Sequence, residues 1–221
     1  MTSLFSEATE RDPLDFNRTP AWCVELLIPH LGEPRTILDA GCGDGAIGKV
    51  LRYHFPLASM YGVEIHAQRA REAQIHYSGI IEQSWTTTGI TPSYADLIIS
   101  NPPFGLPALE FLRRALERVR PGGTVAFLLP THWDHDPDAK TDFARQRFLD
   151  SIRLPDSREG YAKLAIVGGG PNPCRPSFRG GSSTATDRYA WFMFGEQWAG
   201  QPSRRLHAIP PAVESRQGRL L

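Results

Sequence analysis

Ile37-Leu38-Asp39-Ala40-Gly41-Cys42-Gly43-Asp44-Gly45 is the stretch that decides the fold. Thr36 to Ala40 reads as a short buried strand, and the glycines that follow let the backbone turn sharply and a ligand approach it closely. Residues 46–53 then read as a helix, whose first turn leaves backbone N–H groups without intrahelical partners. Working outward, 60–65 is a second strand followed by a helix over 67–76, and Ala95-Asp96-Leu97-Ile98-Ile99-Ser100 is a strand of the fully buried type. Residues 107–119 carry Leu109, Leu112, Leu116 and Val119 on one helical side and stop at Pro121-Gly122-Gly123. A strand over 124–129 and a helix near 142–152 come next. Upstream, Thr19 is placed as the N-cap and Pro20 as the first residue of a helix. Strands alternating with helices predict a doubly wound, parallel α/β sheet with ligands at the C-terminal ends of its strands.

The chain has 221 residues, 41% of them hydrophobic and 22% charged, as expected of one globular domain. The boundaries predicted are a flexible N-terminus over 1–13, a domain over 14–198 and a polar tail over 199–221. Lysine plus arginine and aspartate plus glutamate both number 24, so net charge points to no anionic partner. The balance hides an asymmetry: residues 1–140 carry −5 and residues 141–221 carry +5. No apolar run approaches the ~20 residues of a membrane span and no signal-peptide layout opens the chain, which predicts a cytoplasmic protein without a membrane partner. Cys23, Cys42 and Cys174 are scattered, against a disulfide framework or a cysteine-built zinc site. His132, Asp134, His135 and Asp136 read as a solvated loop, and no metal is expected.

Glu64 closes the second strand nineteen residues after Gly45, where an acid binds the hydroxyls of a ribose. Asp39, just before the glycine turn, repels a pyrophosphate and attracts an ammonium group, which favours a cofactor with an amino-acid end over a dinucleotide. This pattern resembles motif I of the class I S-adenosylmethionine-dependent methyltransferases, with Gly62-Val63-Glu64 as their ribose-binding strand. The resemblance implies a Rossmann-like, seven-stranded, mostly parallel sheet with an antiparallel C-terminal hairpin, and S-adenosyl-L-methionine as cofactor. It places Asp39 at the methionine end, Gly41 and Gly43 under the cofactor with Asp44 and Gly45 completing the loop, and Glu64 on the ribose. One departure stands out. The third strand of that family ends in an acid and a small residue, whereas this chain has Ile80-Ile81-Glu82-Gln83-Ser84-Trp85, so Ser84 or Trp85 is expected to meet the adenine.

Asn101-Pro102-Pro103-Phe104 directly follows the 95–100 strand, at the same sheet edge. Two consecutive prolines fix an extended corner and remove two backbone donors. The lone pair of an amine conjugated to a ring is a poor nucleophile. An Asn oxygen and a proline carbonyl that accept both its N–H groups draw the nitrogen toward tetrahedral geometry, while an aromatic ring stacks on the flat acceptor. The motif resembles the (N/D)-P-P-(Y/F/W) signature of amino methyltransferases. By that resemblance Asn101 and the Pro102 carbonyl orient the amine, Pro103 stiffens the corner and Phe104 stacks.

The wider layout, with Asp15-Phe16-Asn17-Arg18-Thr19-Pro20 upstream, Arg175 to Gly181 and Asp187 to Phe194 downstream, is similar to small phage-type DNA adenine-N6 methyltransferases. In these, Thr19 and Pro20 lie near the methionine end of the cofactor. Arg175, Phe178, Arg179 and Arg188 are the residues expected on a nucleic-acid acceptor, since basic groups beside an aromatic suit a phosphate backbone with a displaced base. DNA is the first acceptor expected and RNA the second. The Ile99-Ser100-Asn101-Pro102-Pro103-Phe104 run is also similar to ribosomal RNA guanine-N2 methyltransferases. A protein glutamine-amide methyltransferase and a cofactor-binding pseudoenzyme complete the alternatives. Pro173-Cys174 looks like the nucleophile of cytosine-C5 methyltransferases but stands far from the turn where that chemistry needs it.

Overall fold

The computed structural model describes residues 18–91, 94–103, 106–130, 165–167, 189–195 and 204–206. A short helix, α1 (Ala21–Glu25), leads into β1 (Thr36–Ala40), α2 (Ala46–His54), β2 (Ser59–Val63), α3 (Ala67–Ala73) and β3 (Gly79–Ile81). Then come β4 (Ala95–Ser100), α4 (Leu106–Arg118), β5 (Val119–Pro130), β6 (Ala165–Val167), β7 (Tyr189–Phe194) and β8 (Arg204–Leu206). The sheet order is β3-β2-β1-β4-β5-β7-β6-β8. β1 to β5 run parallel, and β7 is antiparallel to both β5 and β6. The predicted architecture is therefore present. Both the helix expected near 142–152 and the glycine-rich stretch before β7 fall outside the described residues.

Three local readings are corrected. Arg204–Leu206, assigned to the polar tail, pairs in parallel with β6 as an eighth strand; Arg-Arg-Leu carries no apolar alternation that would announce it. The Pro121-Gly122-Gly123 stop lies inside a strand irregularity: Val119 already pairs with Ala95, the register slips, and pairing resumes at Thr124 with Leu97. Gly122, at φ +73°, makes the slip possible. Thr19 does not cap α1. The residue before a proline is driven to extended backbone, Pro20 itself sits at the cap position, and no side-chain cap bond forms.

Alternation along the strands divides the core into two layers. Ile37, Leu97, Ile99, Trp191 and Met193 pack with Leu27 and Leu51 on the α1/α2 face. Leu38, Ile98, Phe127, Phe192 and Phe194 pack with Leu112 and Leu116 on the α4 face. Asp39 shares the parity of Ile37 and so points inward, beneath α2. β2 lies on one side of β1 and β4 on the other, which makes the β1/β4 boundary the topological switch point and opens a crevice at its C-terminal end. The Ser100 hydroxyl donates to the Ala40 carbonyl across that boundary. Among the described residues no helix is long and apolar enough to cross a membrane.

Gly48 lies on the buried side of α2, and a Cβ there would fall inside the Tyr77 ring. Gly→Ala in an exposed helix interior gains about 1 kcal/mol; here the sign reverses. Gly48→Ala is expected to destabilise the protein by about 1–3 kcal/mol through overpacking, read as a lower thermal midpoint. A midpoint equal to or above wild type would contradict this packing.

Candidate active site

Three left-handed glycines shape the loop between β1 and α2: Gly41 (φ 77°), Gly43 (φ 55°) and Gly45 (φ 85°). The loop is stitched to the end of β2 by the N–H groups of Gly41 and Cys42, which both donate to the Val63 carbonyl at 2.8 and 2.9 Å. Glu64, the residue after β2, is buried and accepts from Gly43 N–H at 2.9 Å and from His66 N–H at 2.8 Å. Asp44 spends one oxygen on the Ala46 N–H at the start of α2 and the other on Arg18, at 2.8 Å.

Gly41, Gly43, Asp44 and Glu64 line a cleft of about 210 Å³ together with Ser84, Trp85, Asn101, Pro103 and Phe111, whereas Gly45 is not on its wall. Thr19 lines it too, and Asn101 Nδ2 donates to Thr19 Oγ1 at 3.0 Å. Pro102 is buried and is not on the cleft wall. Ser84 and Trp85, the two residues expected near the adenine, differ in their surroundings. Trp85 is 2% exposed, its indole N–H donates to the Phe111 carbonyl at 3.0 Å, and its own carbonyl accepts from Arg114. Ser84 keeps a half-buried hydroxyl bonded to Thr86 at 2.8 Å. The structure thus brings Thr19, Gly41, Gly43, Asp44, Glu64, Ser84, Asn101 and Pro103 to one cleft. Phe104, Arg175, Phe178, Arg179 and Arg188 lie outside the described residues.

Asp39 differs from the rest. It is fully buried under the glycine loop and is not on the cleft wall. Burial pushes its carboxyl from the usual 3.8 up to about 7, against the Tyr77 hydroxyl that donates to Oδ2 at 2.5 Å; the neighbouring charge of Glu64 pushes it further up. Oδ1 has no hydrogen-bond partner among the described residues. Tyr77, 38 positions away, is the partner that sequence reasoning missed; nothing in its own segment marks it. Phe111 was missed as well. A Cβ on Gly41 would stand 3.2 Å from its ring, so the loop and α4 face one another closely at 41.

The residues present fit a cofactor carrying an amino-acid end and a ribose. An unpartnered carboxylate oxygen lies beneath the loop, and each Glu64 oxygen holds one backbone N–H with acceptor capacity to spare for a hydroxyl. Sheet order, glycine loop and the acid after β2 together define a class I, S-adenosylmethionine-dependent methyltransferase domain. Residues 22–150 match the methyltransferase small domain family, and the chain belongs to it.

The chain is 31% identical over 130 residues to ribosomal RNA small subunit methyltransferase C of Chromohalobacter salexigens, covering 51% of this chain and 39% of that protein. It is 30% identical over 169 residues to the tRNA1(Val) (adenine(37)-N6)-methyltransferase of Porphyromonas gingivalis, covering 62% and 64%. A trans-aconitate 2-methyltransferase of Rhodopseudomonas palustris is 30% identical over 108 residues, covering 47% and 42%. This chain spans less than half the length of the ribosomal RNA enzymes it matches. Geranyl diphosphate C-methyltransferase of Streptomyces coelicolor A3(2), solved with S-adenosyl-L-homocysteine, superposes with a TM-score of 0.56 at 14% identity over 78% of this chain and 76% of that one, a likeness of fold alone.

A carboxyl whose folded pKa is raised binds its proton more tightly in the folded state. Its contribution to stability is complete below the unfolded value and is lost as pH rises through about 7. Asp39→Asn removes that loss. In denaturant melts without cofactor, the stability of Asp39→Asn relative to wild type is expected to improve between pH 5 and pH 8. A difference that stays flat across this range would refute the assigned titration.

Proposed function

We propose that this chain transfers a methyl group from S-adenosyl-L-methionine to an exocyclic amine of a nucleobase, with adenine N6 the first acceptor group. The observation that carries this reading is the position of the Asn101 side chain on the wall of the cleft that the glycine loop and Glu64 form. When bound, the cofactor supplies an electrophilic methyl on a sulfonium. Glu64 orients its ribose, Gly41 and Gly43 let it lie close against the backbone, and Asp39 attracts its ammonium end from below. Ser84 and Trp85 form the adenine side of the cleft. At the acceptor end, the Asn101 carboxamide oxygen and the Pro102 carbonyl take the two N–H bonds of the amine, which localises its lone pair. Phe104 stacks on the base. This is positioning and charge complementarity with no covalent intermediate on the protein.

The names of the relatives support an RNA acceptor ahead of DNA, because they include a ribosomal RNA enzyme and a tRNA adenine-N6 enzyme. The DNA reading, first in the sequence analysis, keeps the support of the stretches 175–181 and 187–194. Arg175, Phe178, Arg179 and Arg188 are the proposed contacts to the polymer in either case.

The test supplies tritiated S-adenosylmethionine with total RNA, unmethylated DNA and a protein extract in parallel, then digests each and resolves the products. Label in N6-methyladenosine of RNA is expected, and label confined to the deoxy series would select DNA. Asn101→Ala is expected to abolish labelling while binding S-adenosylhomocysteine within about threefold of wild type, since uniform cofactor binding does not depend on it. Label in protein, or none from a wild-type chain that binds cofactor, would overturn the reading.

A further inference from the structure

Thr19 precedes Pro20, the cap residue of α1, and its sequence context reads as a cap, where a threonine hydroxyl accepts an N–H of the first turn. Here the turn closes through Cys23 N–H and the Pro20 carbonyl at 3.0 Å, and the Thr19 hydroxyl accepts from Asn101, 82 residues away. The platform beneath it is rigid. α1 buries Cys23 and Val24, Leu27 follows them into the core, and the fully buried Trp191 of β7 donates its indole N–H to the Cys23 carbonyl at 2.8 Å. Thr19 is itself only 5% exposed. Thr19, next to a helix that β7 braces, thus meets the side-chain amide that follows β4.

The two ends of an asparagine amide are nearly identical in shape and opposite in function: the oxygen accepts and the nitrogen donates. An acceptor amine whose N–H bonds must be taken up needs the oxygen. Were the NH₂ end presented, two donors would meet and the amine lone pair would stay delocalised. Nδ2 is held on Thr19, so the oxygen is the amide end that Thr19 does not engage. The hydroxyl could also donate to a reversed amide, but then the Pro102 carbonyl would take one N–H of the incoming amine and the other would face a donor, so only one arrangement pairs every group.

We propose that Thr19 is a positioning residue that sets the orientation of the Asn101 amide toward the acceptor amine. This rests on the reading of Asn101 given above. It differs from the sequence expectation that Thr19 serves the methionine end of the cofactor, and the two assign opposite signatures to the same substitutions. Thr19→Val keeps the shape and removes the hydroxyl, whereas Thr19→Ser keeps the hydroxyl.

The experiment measures methylation by the full chain for wild type, Thr19→Val, Thr19→Ser and Asn101→Ala, with S-adenosylhomocysteine affinity by calorimetry and a thermal melt for each. Thr19→Val is expected to lower kcat about 10- to 100-fold, the scale of a small misplacement of a reacting group. Its KM for cofactor and its S-adenosylhomocysteine affinity are expected to stay within about threefold of wild type. Thr19→Ser is expected to restore at least half the wild-type rate. Should the valine variant melt early, Thr19→Ala is read against Thr19→Ser in its place. Loss of affinity in proportion to rate would overturn the proposal in favour of a cofactor contact. So would an unchanged kcat in Thr19→Val while Asn101→Ala is inactive. An active Asn101→Ala would instead remove the acceptor reading on which the proposal stands.

Discussion

One carboxylate holds the site together. Glu64 accepts the N–H of Gly43 on one side and of His66 on the other, tying the loop after β1 to the loop after β2. Three left-handed glycines cost more conformational entropy than any other residues would, and Glu64 and the Val63 carbonyl help the loop keep its shape by taking up the N–H groups of Gly41, Cys42 and Gly43. A buried charge needs such partners, and backbone amides supply them without bringing in a cation. The same group therefore orders the loop and presents acceptor capacity to the cleft.

The topology places this carboxylate where a second function can meet it. Reversal of strand order between β1 and β4 opens the crevice, and β4 delivers Asn101 and its prolines to the rim. α4 begins just beyond them and reaches back. Arg114 donates to the carbonyls of Trp85 and Thr88, Trp85 donates to the Phe111 carbonyl, and Arg118 stands 5.8 Å over the Trp85 ring. The wall at Trp85 and the helix behind the Asn101 corner are thus one packed unit. Asp39 and Tyr77 form its floor, with the carboxyl raised by burial and one oxygen still unpartnered among the described residues.

The fold was legible because its signals are local. Leu97, Ile98 and Ile99 are buried on alternating faces, as a run without polar interruption implies, and the glycine loop announces its own turn. The parts of the site that touch across the chain were not legible. Asp39 reads as a group at the methionine end of a cofactor, but its burial beneath α2 and its bond from Tyr77 show only in the fold. Thr19 reads as a cap, and only the fold shows its hydroxyl spent on Asn101. β8 has no pattern to read, because three residues at a sheet edge borrow their conformation from β6.

The cofactor reading seats an adenosyl amino acid on Glu64 and the loop after β1. Calorimetric titration of S-adenosylhomocysteine into wild type and Glu64→Ala tests it most directly. The account predicts saturable binding of one equivalent by wild type. In the variant it predicts a loss of tenfold or more, which corresponds to about 1.4 kcal/mol or above. Equal affinity in the two proteins, or no binding by wild type, would contradict it.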